Sequence, residues 1–138
     1  DSGGDLSYSR DLIADLPSLE VFVGSERLLL EGLKAGAAGC ITAGANVLAP
    51  LCVDVYRAWR AGQPAEALQE RLSALRVLIE AVAPAPATYK SLLRWRHGGR
   101  GWDVRPPLLN HSVQTIEALI DRIRALDPAA VPWLEMPA

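Results

Sequence analysis

The chain has 138 residues, of which 50% are hydrophobic and 22% are charged. This balance is typical of one folded globular unit and excludes a disordered or fibrous chain. The formal net charge is -2, and the arginines are scattered singly among acidic residues. Because no basic stripe is available to neutralise phosphates, we expect no nucleic-acid partner.

The cysteines and the hydropathy of the sequence indicate the cellular compartment. Cys40 and Cys52 show neither CxxC spacing nor a nearby histidine pair, so free, buried thiols in a reducing cytosol are expected rather than a zinc site. The longest apolar runs fall far short of the roughly 20 residues that span a bilayer, and no apolar leader opens the sequence. These features predict a cytoplasmic protein without a membrane partner.

The first half of the sequence predicts alternating helices and strands. In chain order these are a helix over residues 7–16, a strand over 19–23, a helix between Ser25 and Gly36, a strand over 39–42, and a helix between Pro50 and Gly62. Ser25 is the expected N-cap of the second helix. Pro50 is expected to open the third, where its missing N–H costs little. Strands and helices that alternate at this pitch indicate parallel strands.

From residue 64 onward the sequence predicts helices only. The first of them carries an apolar stripe and ends near Pro84; the stripe consists of Leu68, Leu72, Leu75, Ile79 and Val82. Further helices are expected over residues 88–96 and 112–126, and the last should bury Val113, Ile116, Ile120 and Ile123. The stripe has more apolar surface than one barrel wall needs, which favours contacts between subunits, and packing within the chain is the alternative.

The predicted fold class is α/β: the C-terminal part of a (β/α)8 TIM barrel, followed by a helical extension. Two parallel strands alone would leave exposed edges, and a complete barrel needs about 250 residues. We assign residues 1–62 to the end of the barrel, with strands 7 and 8 and their helices, and residues 63–138 to a C-terminal helical region. The loop-like opening without Met leads us to expect a further segment upstream.

Three short motifs, in this order and spacing, resemble the dihydrodipicolinate synthase and N-acetylneuraminate lyase family. In that family the Schiff-base lysine ends the sixth strand, a glycine ends the seventh, and an apolar strand followed by a small-residue loop forms the eighth. The matching residues here are Asp1-Ser2-Gly3-Gly4-Asp5, then Gly24 after Val21-Phe22-Val23, then Gly39-Cys40-Ile41-Thr42 with Ala45-Asn46.

The resemblance implies a class I pyruvate aldolase, in which a lysine amine forms an imine with a 2-oxo acid substrate. It places that lysine directly before Asp1, and implies a homotetramer with no metal or organic cofactor. It assigns substrate binding to residues at the barrel mouth, namely Ser2, Gly24, Ser25, Glu26, Ile41 and Ala43. The catalytic acid and base would lie upstream, so no catalytic residue is assigned in this chain.

The two lysines and two histidines of the chain do not fit a catalytic or metal-binding role. Lys34 precedes a helix-ending glycine, where a cation interacts favourably with the helix dipole, and Lys90 aligns with a family lysine on a C-terminal helix. His97 and His111 have no partner at metal-ligand spacing. We therefore expect ordinary surface or capping roles for all four, and no metal site.

Within the family, the motifs look most like those of 4-hydroxy-2-oxoglutarate aldolases, where the serine two places after the lysine holds the distal carboxylate. Ser2 takes that position. The alternative is a dihydrodipicolinate synthase, which condenses pyruvate with aspartate semialdehyde but usually carries Gly-Asp-Asp where this chain has Gly24-Ser25-Glu26. A non-enzymatic alternative is an inactive paralogue or helical interaction module, whose leucine stripes would bind a partner.

Overall fold

The computed structural model describes residues 3–99 and 101–129 of the chain. The described elements are, in order, α1 (Leu6–Asp15), β1 (Phe22–Val23), a 3-10 helix (Glu26–Leu28), α2 (Leu29–Ala35), β2 (Gly39–Cys40), α3 (Ala45–Arg60), α4 (Glu66–Glu80), α5 (Ala85–His97) and α6 (Val113–Leu126). The chain divides into two compact units within α4, between Ser73 and Ala74. The expected boundary after residue 62 separates barrel from extension rather than two compact units, and it stays a prediction.

In the first unit, β1 and β2 form a two-stranded parallel sheet, with Phe22 opposite Gly39 and Val23 opposite Cys40. Each strand leads into a helix, which confirms the predicted strand-helix-strand-helix order. Both strands are shorter than predicted, although backbone hydrogen bonds extend the pairing on both sides. The N–H of Ala38 donates to the carbonyl of Val21 at 2.8 Å, and that of Ile41 to the carbonyl of Val23 at 3.0 Å.

Helix α2 packs tightly against β1 and ends where the sequence predicts. Gly36 follows the helix in the left-handed conformation, with φ 104°, and its N–H donates back to α2. A glycine is favoured there because a side chain is strained at positive φ. At Gly32 a Cβ would lie 2.7 Å from Cγ1 of Val23, so the missing side chain lets the helix approach the strand.

The start of α3 differs from the prediction, because the helix begins at Ala45 and Pro50 lies inside it. The preceding small residues already form the first turn, in which Ala45 N–H donates to Thr42 and Asn46 N–H to Ala43. The Asn46 side chain also donates to the carbonyl of Ala43 at 2.9 Å. Proline removes one N–H from the helix interior, and Pro50 is exposed, where water can satisfy the freed carbonyl.

The apolar interior of the first unit joins the sheet to its helices. Val23, Leu33, Leu48 and Val55 are at most 1% exposed, and they come from β1, α2 and α3. Helix α2 packs against both α1 and α3. Val23 is thus buried at the centre of this interior, whereas Phe22 and Cys40 of the same sheet are half-buried.

The predicted stripe on α4 is buried within the chain at its centre. Leu72, Leu75 and Ile79 are 0–1% exposed, whereas Leu68 and Val82 are half-buried. The centre of the stripe is therefore covered within the chain, in agreement with the alternative given above, and contacts with other subunits stay a prediction.

In the second unit, α5 packs against α6. Ile116, Ile120 and Ile123 of α6 are buried as predicted, but Val113 is 61% exposed and Leu119, which was not predicted, is 1% exposed. Val113 is the first residue of the helix, one position after its N-cap Ser112, and lies before the face that packs.

Candidate functional site

The carboxyl ends of β1 and β2 lie side by side and carry most of the residues predicted for the site. Because the strands are parallel, the segments that follow them leave the same edge of the sheet. Five of the six predicted substrate-binding residues lie there, and Ser2 lies outside the described residues. Gly24 and Ser25 are half-buried, Ile41 and Ala43 are exposed, and Glu26 is fully buried.

One part of the opening motif lies beside the segment after β1. A cavity of about 340 Å³ is lined by Gly4 together with Ser25, Arg27, Leu28 and Ser73. Ser25 is the N-cap of the 3-10 helix that precedes α2 rather than of α2 itself, whose N-cap is Leu28, and its hydroxyl accepts from the N–H of Arg27 at 3.3 Å. The structure thus brings two of the three family motifs to one cavity within the first unit.

A buried carboxylate joins the two strand-end segments. Glu26, after β1, is 0% exposed, and the hydroxyl of Thr42, after β2, donates to its Oε2 at 2.5 Å. Thr42 in turn accepts from the N–H of Gly44 at 3.2 Å. The sequence indicated both segments but not this contact between them.

Gly44 leaves the space that the Glu26 side chain occupies. A Cβ built on Gly44 would lie 1.5 Å from Oε1 and 2.5 Å from Cδ of Glu26, far inside contact distance. The backbone of Gly44 has φ -61° and ψ -29°, a conformation that any residue can adopt. The need for glycine here is therefore one of space alone.

Gln69 on α4 holds the segment after β1 from its other side. Its Nε2 donates to the carbonyl of Glu26 at 3.0 Å and to Ser73 Oγ at 3.0 Å, while its Oε1 accepts from the N–H of Leu30 at 2.9 Å. A longer contact of 3.4 Å reaches the carbonyl of Arg27. One amide side chain thus satisfies backbone groups on both sides of the junction between the 3-10 helix and α2.

The aspartate that closes the opening motif has a structural role. Asp5 is the N-cap of α1, and its carboxylate accepts from the N–H and the hydroxyl of Ser7 at 2.8 and 2.7 Å. The Ser7 side-chain hydrogen bond is the main cause that lowers the pKa of Asp5 below its ordinary value of 3.8. The motif therefore fixes the first turn of α1 directly after the loop.

The two lysines have the placements expected of residues that are not nucleophiles. Lys34 donates to Glu31 at 2.9 Å and to Glu66 at 3.2 Å, and the contact with Glu31 is the main cause that raises its pKa. A raised pKa keeps the amine protonated, whereas Schiff-base formation needs the neutral amine. Lys90 donates to the carbonyl of Asp103 at 2.8 Å.

Cys40 and Cys52 are free thiols, as predicted, although Cys40 is only half-buried. They lie in contact, and the hydrogen bond from Cys52 lowers the pKa of Cys40, while the same bond and burial raise the pKa of Cys52.

Among the described residues, no three His, Cys, Asp or Glu side chains are grouped so that they could hold a metal ion. In the same part of the chain, no helix is long and apolar enough to cross a membrane.

The family model described as the dihydrodipicolinate synthetase family matches residues 1–126. The chain belongs to this family. Three curated relatives illustrate its range. An uncharacterized DapA-like lyase of Chloroflexus aurantiacus is 38% identical over 128 residues, which cover 91% of this chain and 42% of the relative. A 4-hydroxy-tetrahydrodipicolinate synthase of Hyphomonas neptunium is 35% identical over 132 residues, covering 91% and 44%. An L-threo-3-deoxy-hexylosonate aldolase of Aspergillus niger is 35% identical over 106 residues, covering 75% and 30%.

Solved structures of the family share this fold. The crystal structure of YagE from Escherichia coli in complex with pyruvate superposes with a TM-score of 0.72 at 20% identity, over 88% of this chain and 43% of that one. The chain therefore spans less than half the length of these relatives, two of which are named as a lyase and an aldolase.

Three residues of the site, Thr42, Gly44 and Gln69, were not predicted to contribute to it. Thr42 and Gly44 lie within the motif after β2, next to Ile41 and Ala43, so their position was available from the sequence. Gln69 was not, because it meets Glu26 across 43 positions of the chain and stands in an ordinary helical pattern.

Proposed function

We propose that the complete protein is a Schiff-base-forming, pyruvate-dependent aldolase that cleaves 4-hydroxy-2-oxoglutarate or a related 2-keto-3-deoxy acid. The observation that carries the proposal is the meeting of the family motifs in the first unit. Gly4 and Ser25 line one cavity, and the segment after β2 is bonded to the one after β1 through Thr42 and Glu26. The family relationship supports the general chemistry, and the motif residues favour the substrate class.

In the proposed reaction, a lysine directly before Asp1 attacks the ketone carbon of the substrate and water is lost, which leaves an iminium ion. Deprotonation of the 4-hydroxyl then breaks the bond between C3 and C4, so an aldehyde leaves and the electron pair remains as the enamine of pyruvate. Protonation at C3 and hydrolysis release pyruvate and regenerate the amine. Because the iminium nitrogen accepts the electron pair, these steps need no further electron sink.

In this proposal, four of the described residues form part of the surface that binds the substrate. Gly24 and Ala43 have small side chains or none, so the substrate can approach their backbone at the barrel mouth. Ile41 packs beside the imine, and the Ser25 hydroxyl donates to a substrate oxygen. Ser2, in the motif after the lysine, is proposed to hold the distal carboxylate. Glu26 was also expected to contact the substrate, but its carboxylate is fully buried, which supports a structural role instead.

A second candidate is the condensation of pyruvate with aspartate semialdehyde. The synthase of Hyphomonas neptunium, at 35% identity, favours it. The Gly24-Ser25-Glu26 sequence favours the aldolase, since the family resemblance implies Gly-Asp-Asp at this place in dihydrodipicolinate synthases.

Assaying the full-length protein separates the two candidates. Pyruvate release from 4-hydroxy-2-oxoglutarate and from 2-keto-3-deoxy acids is measured beside aspartate-semialdehyde condensation. We expect kcat/KM to be at least about tenfold higher for a cleavage substrate than for the condensation, which corresponds to about 1.4 kcal/mol of transition-state stabilisation. Efficient condensation with no cleavage of any 2-oxo acid tested would reject the aldolase in favour of the synthase.

We also propose a homo-oligomeric, tetrameric enzyme, on the family relationship alone. The α4 stripe does not support this proposal, since Leu72, Leu75 and Ile79 are buried within the chain.

A further inference from the structure

Glu26 is placed as a structural acceptor rather than as a surface group. Its side chain is 0% exposed, and the neighbouring Gly44 lies so close that a Cβ there would overlap the carboxylate. A buried carboxylate is costly unless hydrogen bonds compensate for the lost water. The short bond from Thr42 provides such compensation and comes from the segment after the other strand.

The hydrogen bonds at this carboxylate run in one direction. The N–H of Gly44 donates to Thr42 Oγ1, and the hydroxyl of Thr42 then donates to Glu26 Oε2. A serine at position 42 could make both bonds, whereas a valine of nearly the same shape could make neither. The contact therefore depends on one hydroxyl group.

Gln69 holds the same segment through its backbone. It binds the carbonyl of Glu26 and the N–H of Leu30, and so fixes the 3-10 helix that follows Ser25. The Glu26 side chain thus links the segment after β1 to the segment after β2, and the backbone of the same segment is bonded to Gln69 on α4.

We propose that Glu26, Thr42 and Gln69 are positioning residues that set the separation of the two strand-end segments, and that Glu26 itself does not touch the substrate. The inference rests on the proposed aldolase function, in which Ser25 and Ala43 contact the part of the substrate beyond the imine and Ile41 packs beside the imine. Ile41 is held to the sheet without Thr42, because its N–H donates to the carbonyl of Val23 at 3.0 Å. Loss of the Thr42 contact should therefore affect binding and cleavage of the longer substrate more than imine formation with pyruvate.

The test uses the full-length protein with Thr42→Val, Thr42→Ser and Gln69→Met, and Thr115→Val as control. Thr115, at the start of α6, makes a comparable hydroxyl contact with Ser112 at 2.8 Å but is remote in sequence from the site. For each variant, kcat and KM for cleavage are measured below the unfolding temperature, together with the rate of borohydride trapping of pyruvate.

Thr42→Val should lower kcat/KM for cleavage by about tenfold, well within the roughly hundredfold that an ångström of misplacement costs. The rate of pyruvate trapping should stay within about twofold of wild type, because the substitution leaves the reacting amine and its position unchanged. Thr42→Ser should restore cleavage, Gln69→Met should lower it, and Thr115→Val should leave it unchanged.

Several results would overturn the inference. One is a Thr42→Val enzyme that unfolds at lower temperature but, while folded, cleaves as well as wild type. Another is an equal loss in Thr42→Val and Thr42→Ser, because the hydroxyl would then not matter. If Thr42→Val does not fold, wild-type cleavage by Gln69→Met has the same meaning. A wild-type protein that neither traps pyruvate nor cleaves a 2-oxo acid overturns the proposed function itself.

Discussion

Replacing Gly44 by alanine should destabilise the protein through a single steric conflict. The added Cβ would lie 1.5 Å from Glu26 Oε1, so the carboxylate must move by about 2 Å to reach ordinary contact distance. That movement breaks the hydrogen bond from Thr42. A hydrogen bond to a charged group contributes about 1.5–3 kcal/mol, and overpacking costs about 1–3 kcal/mol. Alanine also lowers the conformational entropy of the unfolded chain, which stabilises the folded protein by about 0.4–1 kcal/mol.

The expected net loss for Gly44→Ala is about 3 kcal/mol of unfolding free energy, which corresponds to a Tm decrease of roughly 6–12 °C in a protein of this size class. Thermal unfolding of the full-length protein at one fixed concentration measures it. Gly101→Ala is the matched control, because a Cβ there meets nothing within 4 Å. Shortening the acid with Glu26→Asp should recover part of the loss in the double variant. A Gly44→Ala protein as stable as Gly101→Ala would refute the steric argument.

Three further predictions concern the opening motif and the assembly. The lowered pKa of Asp5 means that its capping contribution is complete above the unfolded value and is lost as pH falls through the folded one, below 3.8. Asp5→Ala should therefore lower Tm at pH 7, and its difference from wild type should shrink below pH 3.8; a pH-independent difference in melting scans would contradict this. Ser2→Ala should lower kcat/KM for a 4-hydroxy-2-oxo diacid by about one to two decades while pyruvate trapping stays intact, since a hydroxyl bond to a carboxylate contributes about 1.5–3 kcal/mol. Steady-state kinetics in which the variant matches wild type on every diacid would remove that role. Light scattering at micromolar concentration should give the mass of a tetramer, and a monomer mass would reject the proposed assembly.

Local sequence rules predicted the elements whose ends depend on one residue. Gly36 ends α2 in the left-handed conformation as predicted, and Ser25 is an N-cap, although of the 3-10 helix rather than of α2, because each acts on backbone groups within a few positions. Pro50 was assigned to a helix start for the same local reason. The prediction was wrong because the preceding small residues had already begun the turn.

The contacts that connect the candidate site could not be predicted in the same way. Glu26 meets Thr42 across 16 positions and Gln69 across 43. Their pairing depends on parallel strand register and on helix packing, which a single sequence does not specify residue by residue. The family motifs indicated where the segments lie. The structure adds that a carboxylate is buried between them, with Gly44 providing the space.

Borohydride reduction of the full-length protein in the presence of pyruvate tests the central claim most directly. Reduction converts the imine into a stable secondary amine, so mass spectrometry of the digested protein locates the modified residue. We expect one reduced pyruvyl group on a lysine directly before Asp1, and none on Lys34, whose pKa is raised by its contacts with Glu31 and Glu66. Absence of any adduct at saturating pyruvate, or an adduct on Lys34 or Lys90 instead, would contradict the proposed function.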